Sequence, residues 1–578
     1  MSDARKPDEP DPKVPLPKQI PFIIGNEACE RFSFYGMRNI LTKFLVSTML
    51  LSIVPDEEAR KLAAKDVFHT FVMGVYFFPL LGGWLADRFF GKYNTILWFS
   101  VIYCAGHGCL AIFEDNREGF YTGLFLIALG SGGIKPLVAS FVGDQFDQPN
   151  KHRAKVVFDA FYWSINFGSF FASLLMPIFL RSAGPTVAFG IPGILMLLAT
   201  IIFWAGRGRY VRVPPAPPNP HSFGRVSATA IKSGGFGVGL FAIGVAVAVA
   251  CIGLSITWFI GEPLWLMKTF SPVEMLCIAL VVFIALTCIA VSNQLDGARG
   301  KHPDEAVDGV RSVLRVLIVF ALVTPFWSLF DQKASTWVLQ GEQMAQPTWF
   351  DASQMQTVNP ALVMLLIPLN NLVVFPWLRR RGWPLTALGK MTVGMALAGA
   401  AWIVAAILQI IIDGDPKVVL MFPMPGAEKG QFALQTGVVT QSDLWITWQI
   451  LPYILLTLAE VLVSATGLEF AYSQAPLSMK GVIMSFWNLT VTVGGLWVLL
   501  ANHSVKSEAV TDSIASTGLG VNAFLMFFFA GFALLTAVAF RLYAKRYKPT
   551  DNYHTNAPAP GTPPAPIPKA TVREKSPD

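Results

Sequence analysis

What most constrains this chain is an apolar run about as long as a lipid bilayer is thick, repeated from one end to the other. Val187 to Ala205, Phe236 to Gly261, Met275 to Val291 and Ala387 to Ile412 each meet or approach the roughly 20 residues that a helix needs to cross a hydrocarbon core. Only 14% of the residues are charged and 53% are hydrophobic, where a soluble chain carries about 25% charged residues. Water is therefore not the solvent of most of this surface, and the chain reads as a polytopic, all-α membrane protein.

Apolar length set against charged breaks predicts spans near 20–51, 67–86, 95–113, 120–142, 155–180 and 187–206. A second set falls near 311–339, 354–378, 385–412, 445–474, 482–502 and 521–544, with two further spans near 236–260 and 273–292 after the Pro214 to Pro220 linker. The expected organisation is an amino-terminal tail (1–18), a six-helix bundle (19–210), a linker with two inserted helices (211–300), a second six-helix bundle (301–548) and a disordered tail (549–578). The first eighteen residues, Pro-rich and of mixed charge, lack the charged-then-apolar pattern of a signal peptide, so both tails are expected to be cytoplasmic.

The distribution of Lys and Arg tests the count, because basic residues concentrate in alternate connections when no span is missed or invented. Arg88 and Lys92; Lys151, Arg153 and Lys155; Arg207, Arg209, Arg212, Arg225 and Lys232; Arg299 and Lys301; Arg379 to Arg381; and Arg541 to Lys548 all fall on the predicted inner side. The outer connections are poorer, and the outer stretch from Asp56 to Asp66 balances Arg60, Lys61 and Lys65 with acids. The net charge of +7 thus reports topology rather than nucleic-acid binding. Six cysteines without metal or redox spacing read as small apolar fillers.

Ionisable residues inside spans are expensive and mark functional sites by default. In the first span Glu27, Glu30, Arg31, Phe34, Tyr35 and Arg38 recur at steps of three and four, which places them on one helical face. Low dielectric disfavours a charged carboxylate while a neighbouring cation favours it, so Glu27, Glu30 and Arg31 form a set suited to exchanging a proton. A network that only fastens helices is the plainer reading, but three charges within five residues exceed what fastening needs.

Lys135 follows Gly130 to Gly133 in the fourth span. Ile134 before it breaks the spacing of a phosphate-binding loop, so the glycines read as packing surface and Lys135 as seeking a buried carboxylate or an anionic ligand. The second half offers Asp331 and Glu460 as anions deep in apolar sequence, with Glu469 nearer a membrane edge. His69 is a secondary proton-relay candidate, and His107 reads as a packing residue. Asn166 must find partners in hydrocarbon, and Tyr76, Trp327 and Trp487 are possible pocket walls.

Glu27-Ala-Cys-Glu30-Arg31-Phe-Ser-Phe34-Tyr35 resembles the ExxERFxYY signature of the proton-dependent oligopeptide transporters of the major facilitator superfamily. Gly130 to Phe146, Phe161 to Ser169, the loop Gly83 to Lys92, Asn359-Pro360 and Glu460 to Trp487 are similar to further family motifs, in order, over nearly all of the chain between Ile20 and Lys548. The resemblance implies twelve helices in two bundles plus a two-helix insertion, fourteen in all, in a bacterial inner membrane. It also implies proton-coupled symport of di- and tripeptides by alternating access, with protons as the coupling ion, no cofactor and a monomer as the working unit. It assigns proton coupling to Glu27, Glu30 and Arg31, and the peptide carboxylate to Arg31, Arg38 and Lys135. Asn166 and Glu460 would receive the amino group; Tyr35, Tyr76, Trp327, Asn359 and Trp487 would form the walls. Two gate pairs are implied, Arg38 with Asp331 outside and Lys135 with Glu460 inside. Phe34 departs from the family pattern, which has a tyrosine there.

The rivals are an anion carrier of the same fold, a transporter-like sensor and a membrane enzyme. Lys135, Asn166 and Glu460 favour a zwitterion over a plain anion, and proton-site carboxylates argue against a sensor. No HExxH or other recognisable metal or nucleophile signature supports an enzyme.

Overall fold

The computed structural model describes residues 16–146, 154–215, 219–259, 270–382, 386–414, 417–418, 423–425, 432–434, 440–474 and 479–547. Nearly all of the amino-terminal tail and all of the carboxyl-terminal tail lie outside the described residues, as do Lys151, Arg153, Ala475, Pro476 and Lys548.

The first half contains α1 (Ile20–Phe44), α2 (Glu57–Phe77), α3 (Pro79–Leu85), α4 (Gly91–Ile112), α5 (Arg117–Gly143), α6 (Ala154–Ala183) and α7 (Pro185–Ala205). A short α8 (Phe223–Lys232) precedes the inserted pair, α9 (Gly235–Phe259) and α10 (Pro272–Gln294). The second half contains α11 (Asp304–Asp331), α12 (Thr336–Glu342), α13 (Val358–Leu369), α14 (Phe375–Arg380), α15 (Ala387–Gly414), α16 (Ile450–Glu460), α17 (Thr466–Gln474), α18 (Lys480–Ser504), α19 (Glu508–Ala515) and α20 (Val521–Arg546). Short strands decorate the connection after α12 and the one after α15, with Met344–Ala345 and Lys417–Val418 flanking Thr440–Trp445.

Among the described residues, 12 stretches are long and apolar enough to cross a membrane. One of them, Glu57–Ile112, runs for 56 residues, far more than the roughly 20 of a single crossing. It turns at Gly91, whose φ of 71° suits a residue without Cβ, and so crosses twice. α1 falls outside the twelve because of its charges, all of which it carries into the protein or onto its end. Fourteen crossings result: six, an inserted pair, and six. This is the all-α, two-bundle class expected from the sequence.

The glycine run of α5 acts as packing surface. A Cβ on Gly132 would stand 2.5 Å from Cβ of Phe78, one on Gly133 2.2 Å from Cγ of Phe99, and one on Gly130 2.7 Å from Cβ of Tyr103. α5 therefore lies against α4 and the α2–α3 junction at distances that only glycine permits. Gly168 does the same for α6, bringing it onto the backbone of α1 at Ala28 and Phe32.

Several boundaries differ from expectation. α2 starts ten residues before the predicted 67, because Asp56 caps it by accepting from the Ala59 amide at 2.7 Å, and Glu57 and Glu58 occupy its first turn. A reading by hydropathy stops at those charges. The predicted span 311–339 is broken by a 3-10 turn at Gln332–Ala334, immediately after Asp331. α8 and α19 were not anticipated, being too short and too polar to register as spans.

The inserted pair sits over the seam between the halves. Cys277, Ile278 and Val281 of α10 pack on a cluster of Met73 from α2 with Leu496 and Leu499 from α18.

Candidate functional site: a charged centre between two helix bundles

α1 is bonded to its own half along one side and carries the charges on another. Asn26 donates to the Ala199 carbonyl at 3.0 Å, and Ser33 meets His107 Nε2 at 2.9 Å and the Pro192 carbonyl at 2.6 Å. These contacts fix the rotation of the helix. His107 is thus a buried, hydrogen-bonded packing residue.

With that rotation set, Arg31 Nε stands 3.2 Å from Glu27 and also contacts Glu30 Oε2. All three side chains are buried. Two buried carboxylates thus share one guanidinium, and the three charges compensate one another. The buried hydroxyl of Tyr103 on α4 faces Glu30 as a hydrogen-bond partner.

One and two turns further along α1, Tyr35 lies within electrostatic reach of Arg31, Arg38, Glu460 and Glu30. Arg38 Nη2 donates to Asp331 Oδ1 at 2.7 Å, with both side chains under 8% exposed. The outer pair expected from the resemblance is formed.

The inner pair is not. Among the described residues Lys135 has no ion pair within 4.0 Å; its Nζ lies 3.9 Å from the ring centroid of Tyr76 and 4.6 Å from that of Phe34. Two aromatic rings hold the ammonium group where a carboxylate was expected. Phe34, buried and set edge-on to Tyr35 at 5.4 Å, belongs to this cation-binding surface.

Across the seam, Glu460 Oε2 accepts from Asn359 at 2.7 Å, and Asn359 donates to Thr457 at 3.0 Å while accepting from Lys333 Nζ at 2.7 Å. Lys333 also covers the Phe330 ring at 3.4 Å. Sequence reasoning missed Lys333, although it sits in the same predicted span as Asp331 and the rule on intramembrane charges applies to it equally. Asn166 donates to the Tyr162 carbonyl of its own helix at 3.0 Å, and Tyr162 lies within electrostatic reach of Glu460. Trp327 and Trp487 meet each other nearly at right angles, 6.1 Å apart.

His69 does not join Glu27, Glu30 and Arg31. It bonds Ser335 across the seam at 3.0 Å, in a layer where the two halves meet. Other contacts in that half of the membrane are Thr42 with the Ala334 carbonyl (2.9 Å), Thr492 with the Met73 carbonyl (3.3 Å) and Asn502 with Asp66 (3.1 Å). The halves are therefore joined on the side where α1 ends. Glu469 is exposed, as a position near a membrane edge requires.

The profile of PTR2, the POT family, matches residues 93–511. Among solved structures, an auto-inhibited POT family peptide transporter is 59% identical with a TM-score of 0.84, over 94% of this chain and 99% of that one. The POT family transporter PepTSo is 58% identical with a TM-score of 0.83, over 92% and 99%. Solute carrier family 15 member 1 of Oryctolagus cuniculus is 31% identical over 449 residues, which are 70% of this chain and 54% of that protein. The chain spans about half the length of the curated relatives it matches.

Proposed function

The chain belongs to the POT family, and on that premise we propose that it imports di- and tripeptides together with protons by alternating access. Its place would be a bacterial inner membrane, with both termini cytoplasmic, and its working unit a monomer. Residues 19–210 and 301–548 are the two rocking bundles.

The observation that carries this reading is that cations of the first half and a carboxylate of the second lie on opposite sides of the seam, each among partners that could exchange for a ligand. Arg31, Arg38 and Lys135 stand on the first half, and Glu460 with its Asn359 and Lys333 neighbours on the second. A peptide zwitterion offers a carboxylate and an ammonium group at nearly fixed separation whatever its side chains, so a polarised pocket clamps the backbone and tolerates the rest. Asn166 and Glu460 receive the amino end; Tyr35, Tyr76, Trp327, Asn359 and Trp487 form the walls.

Coupling follows from competition for Arg31. Deprotonated Glu27 and Glu30 occupy its guanidinium; a proton on Glu30 weakens that hold and frees Arg31 for the peptide carboxylate. Proton and peptide then favour the same state. His69, bonded to Ser335 across the closed side, is a secondary candidate for proton relay. Closure by Arg38 and Asp331, with Lys135 and Glu460 apart, corresponds to a state open towards the cytoplasm.

Uptake of di- and tripeptides into proteoliposomes, with and without an inward proton gradient, tests the proposal. Gradient-dependent accumulation is the expected result. Binding without flux, or gradient-driven uptake of nitrate but not of peptide, would replace it with a sensor or an anion carrier.

A further inference from the structure

The outer side is closed by more than the Arg38–Asp331 pair. Beyond it, the 3-10 turn Ala352–Thr357 of the second half lies across the ends of α1 and α6 of the first. The turn is rigid for local reasons. Asp351 accepts from the Ser353 amide at 2.9 Å, and Gln354 accepts in return from the Asp351 amide at 2.8 Å, which makes a capping box.

Each end of this turn is tied to the opposite half. Lys43, at the last turn of α1, contacts Asp351 and stands 3.7 Å from Glu342. Gln354 donates to the Leu174 carbonyl at 2.9 Å and Gln356 to the Asn39 carbonyl at 3.1 Å, while Arg181 contacts the Thr348 carbonyl. Asp351 is 6% exposed, so its charge depends on Lys43 for compensation. An outward-opening movement of the halves must break all of these bonds together.

We propose that Lys43 and the Asp351–Thr357 turn form a second outer gate, stacked outside the Arg38–Asp331 pair, which locks the closed mouth and must release in every cycle. Lys43 acts by positioning the turn rather than by touching substrate. The proposal rests on the alternating-access reading, but its test does not depend on what is carried.

Spin labels at Ser52 and Ser513, exposed positions on opposite halves at this end, report the opening of the mouth. In the full-length reconstituted protein Lys43→Met is expected to add a longer-distance population that the unaltered protein lacks, and Gln354→Ala a smaller one. The conservative Lys43→Arg, which keeps the cation and leaves the Asp351 cap intact, is expected to keep the short distance. An unchanged distance distribution in Lys43→Met, alongside opening in Arg38→Ala, overturns the proposal, as does opening in Lys43→Arg equal to that in Lys43→Met in a protein of normal thermal stability. Loss of peptide uptake with an unaltered distance response would instead count against the transport reading alone.

Discussion

Asp331→Asn separates gating from folding. The substitution keeps the shape of the side chain and removes the charge that faces Arg38 at 2.7 Å in a pair under 8% exposed. Truncating one partner of a buried pair costs about 3–5 kcal/mol, but asparagine still offers an oxygen to Arg38. The expected loss is then the charge-assisted part of the bond, about 2 kcal/mol, within the roughly 1.5–3 kcal/mol of hydrogen bonds to charged groups. Asp331 Oδ2 has no hydrogen-bond partner, so the amide nitrogen that replaces it gains none and adds a small further cost. The pair joins the two halves, so on the proposed alternating-access cycle this energy acts on the closed-to-open equilibrium of the outer mouth. At 1.4 kcal/mol per factor of ten, the open fraction rises about 30-fold relative to the closed one. The distance between labels at Ser52 and Ser513 measures that ratio directly. A lowered melting temperature with an unchanged distance distribution would refute the reasoning, because the pair would then be holding the fold and not the gate.

Three other outcomes are expected. Glu30→Gln should abolish gradient-driven uptake while peptide counterflow survives; undiminished gradient-driven uptake would remove Glu30 from the coupling. Gly133→Ala places a methyl 2.2 Å from Cγ of Phe99, where backbone and ring must both shift, and should destabilise the protein by about 1–3 kcal/mol. Its melting curve in detergent checks this, and an unshifted midpoint would mean that α4 and α5 are not held as tightly as described. Burial alone would push the Asp351 carboxyl up, but the Lys43 charge and hydrogen bonds from Lys43 and Ser353 hold it below its ordinary value. A lowered carboxyl keeps its contribution above the unfolded value of about 3.9 and loses it as pH falls through the folded one. Closure through this pair in the unaltered protein should therefore stay constant from about pH 7.5 to about pH 5, whereas in Lys43→Met the carboxyl has lost its cation, burial pushes it up, and the extra opening should shrink as pH falls and the carboxyl takes a proton. Glu342 and Arg181 also face Lys43, and a shrinkage that persists when Asp351→Asn is added to Lys43→Met would point to Glu342 instead.

The crossings were legible because the bilayer reads only length and polarity, both of which a sequence displays. Where charge and helix coincide the reading failed: α2 begins at Glu57 because acids suit a helix amino terminus, yet the same acids look like a loop. The face of α1 was legible from its period, since Glu27, Glu30, Arg31 and Arg38 fall at helical steps. Its partners were not, because Arg38 and Asp331 are 293 positions apart and only resemblance joined them. Lys135 shows the deeper limit. A lysine in an apolar span was expected to need a carboxylate, but Tyr76 and Phe34 supply two aromatic rings instead, and cation–π contact leaves no mark in residue spacing.

On the proposed cycle, that aromatic cradle lets Lys135 and Glu460 stand apart without leaving a bare charge. A buried ammonium group without a partner would pull the halves together at once. Rings worth about 0.5–2 kcal/mol hold it weakly enough to release to a stronger partner. On the proposed cycle Lys135 has two alternatives, the rings of Phe34 and Tyr76 and a peptide carboxylate, while Glu460 is engaged by Asn359. Arg31 has the corresponding choice between Glu27 with Glu30 and the same peptide carboxylate. A carboxylate that draws both cations is held where the seam must close, and it can draw Arg31 only when Glu30 is protonated. Peptide without a proton leaves Arg31 engaged, and a proton without peptide leaves Lys135 on its rings. Tight coupling then follows from having two cations on one half that share a single mobile anion.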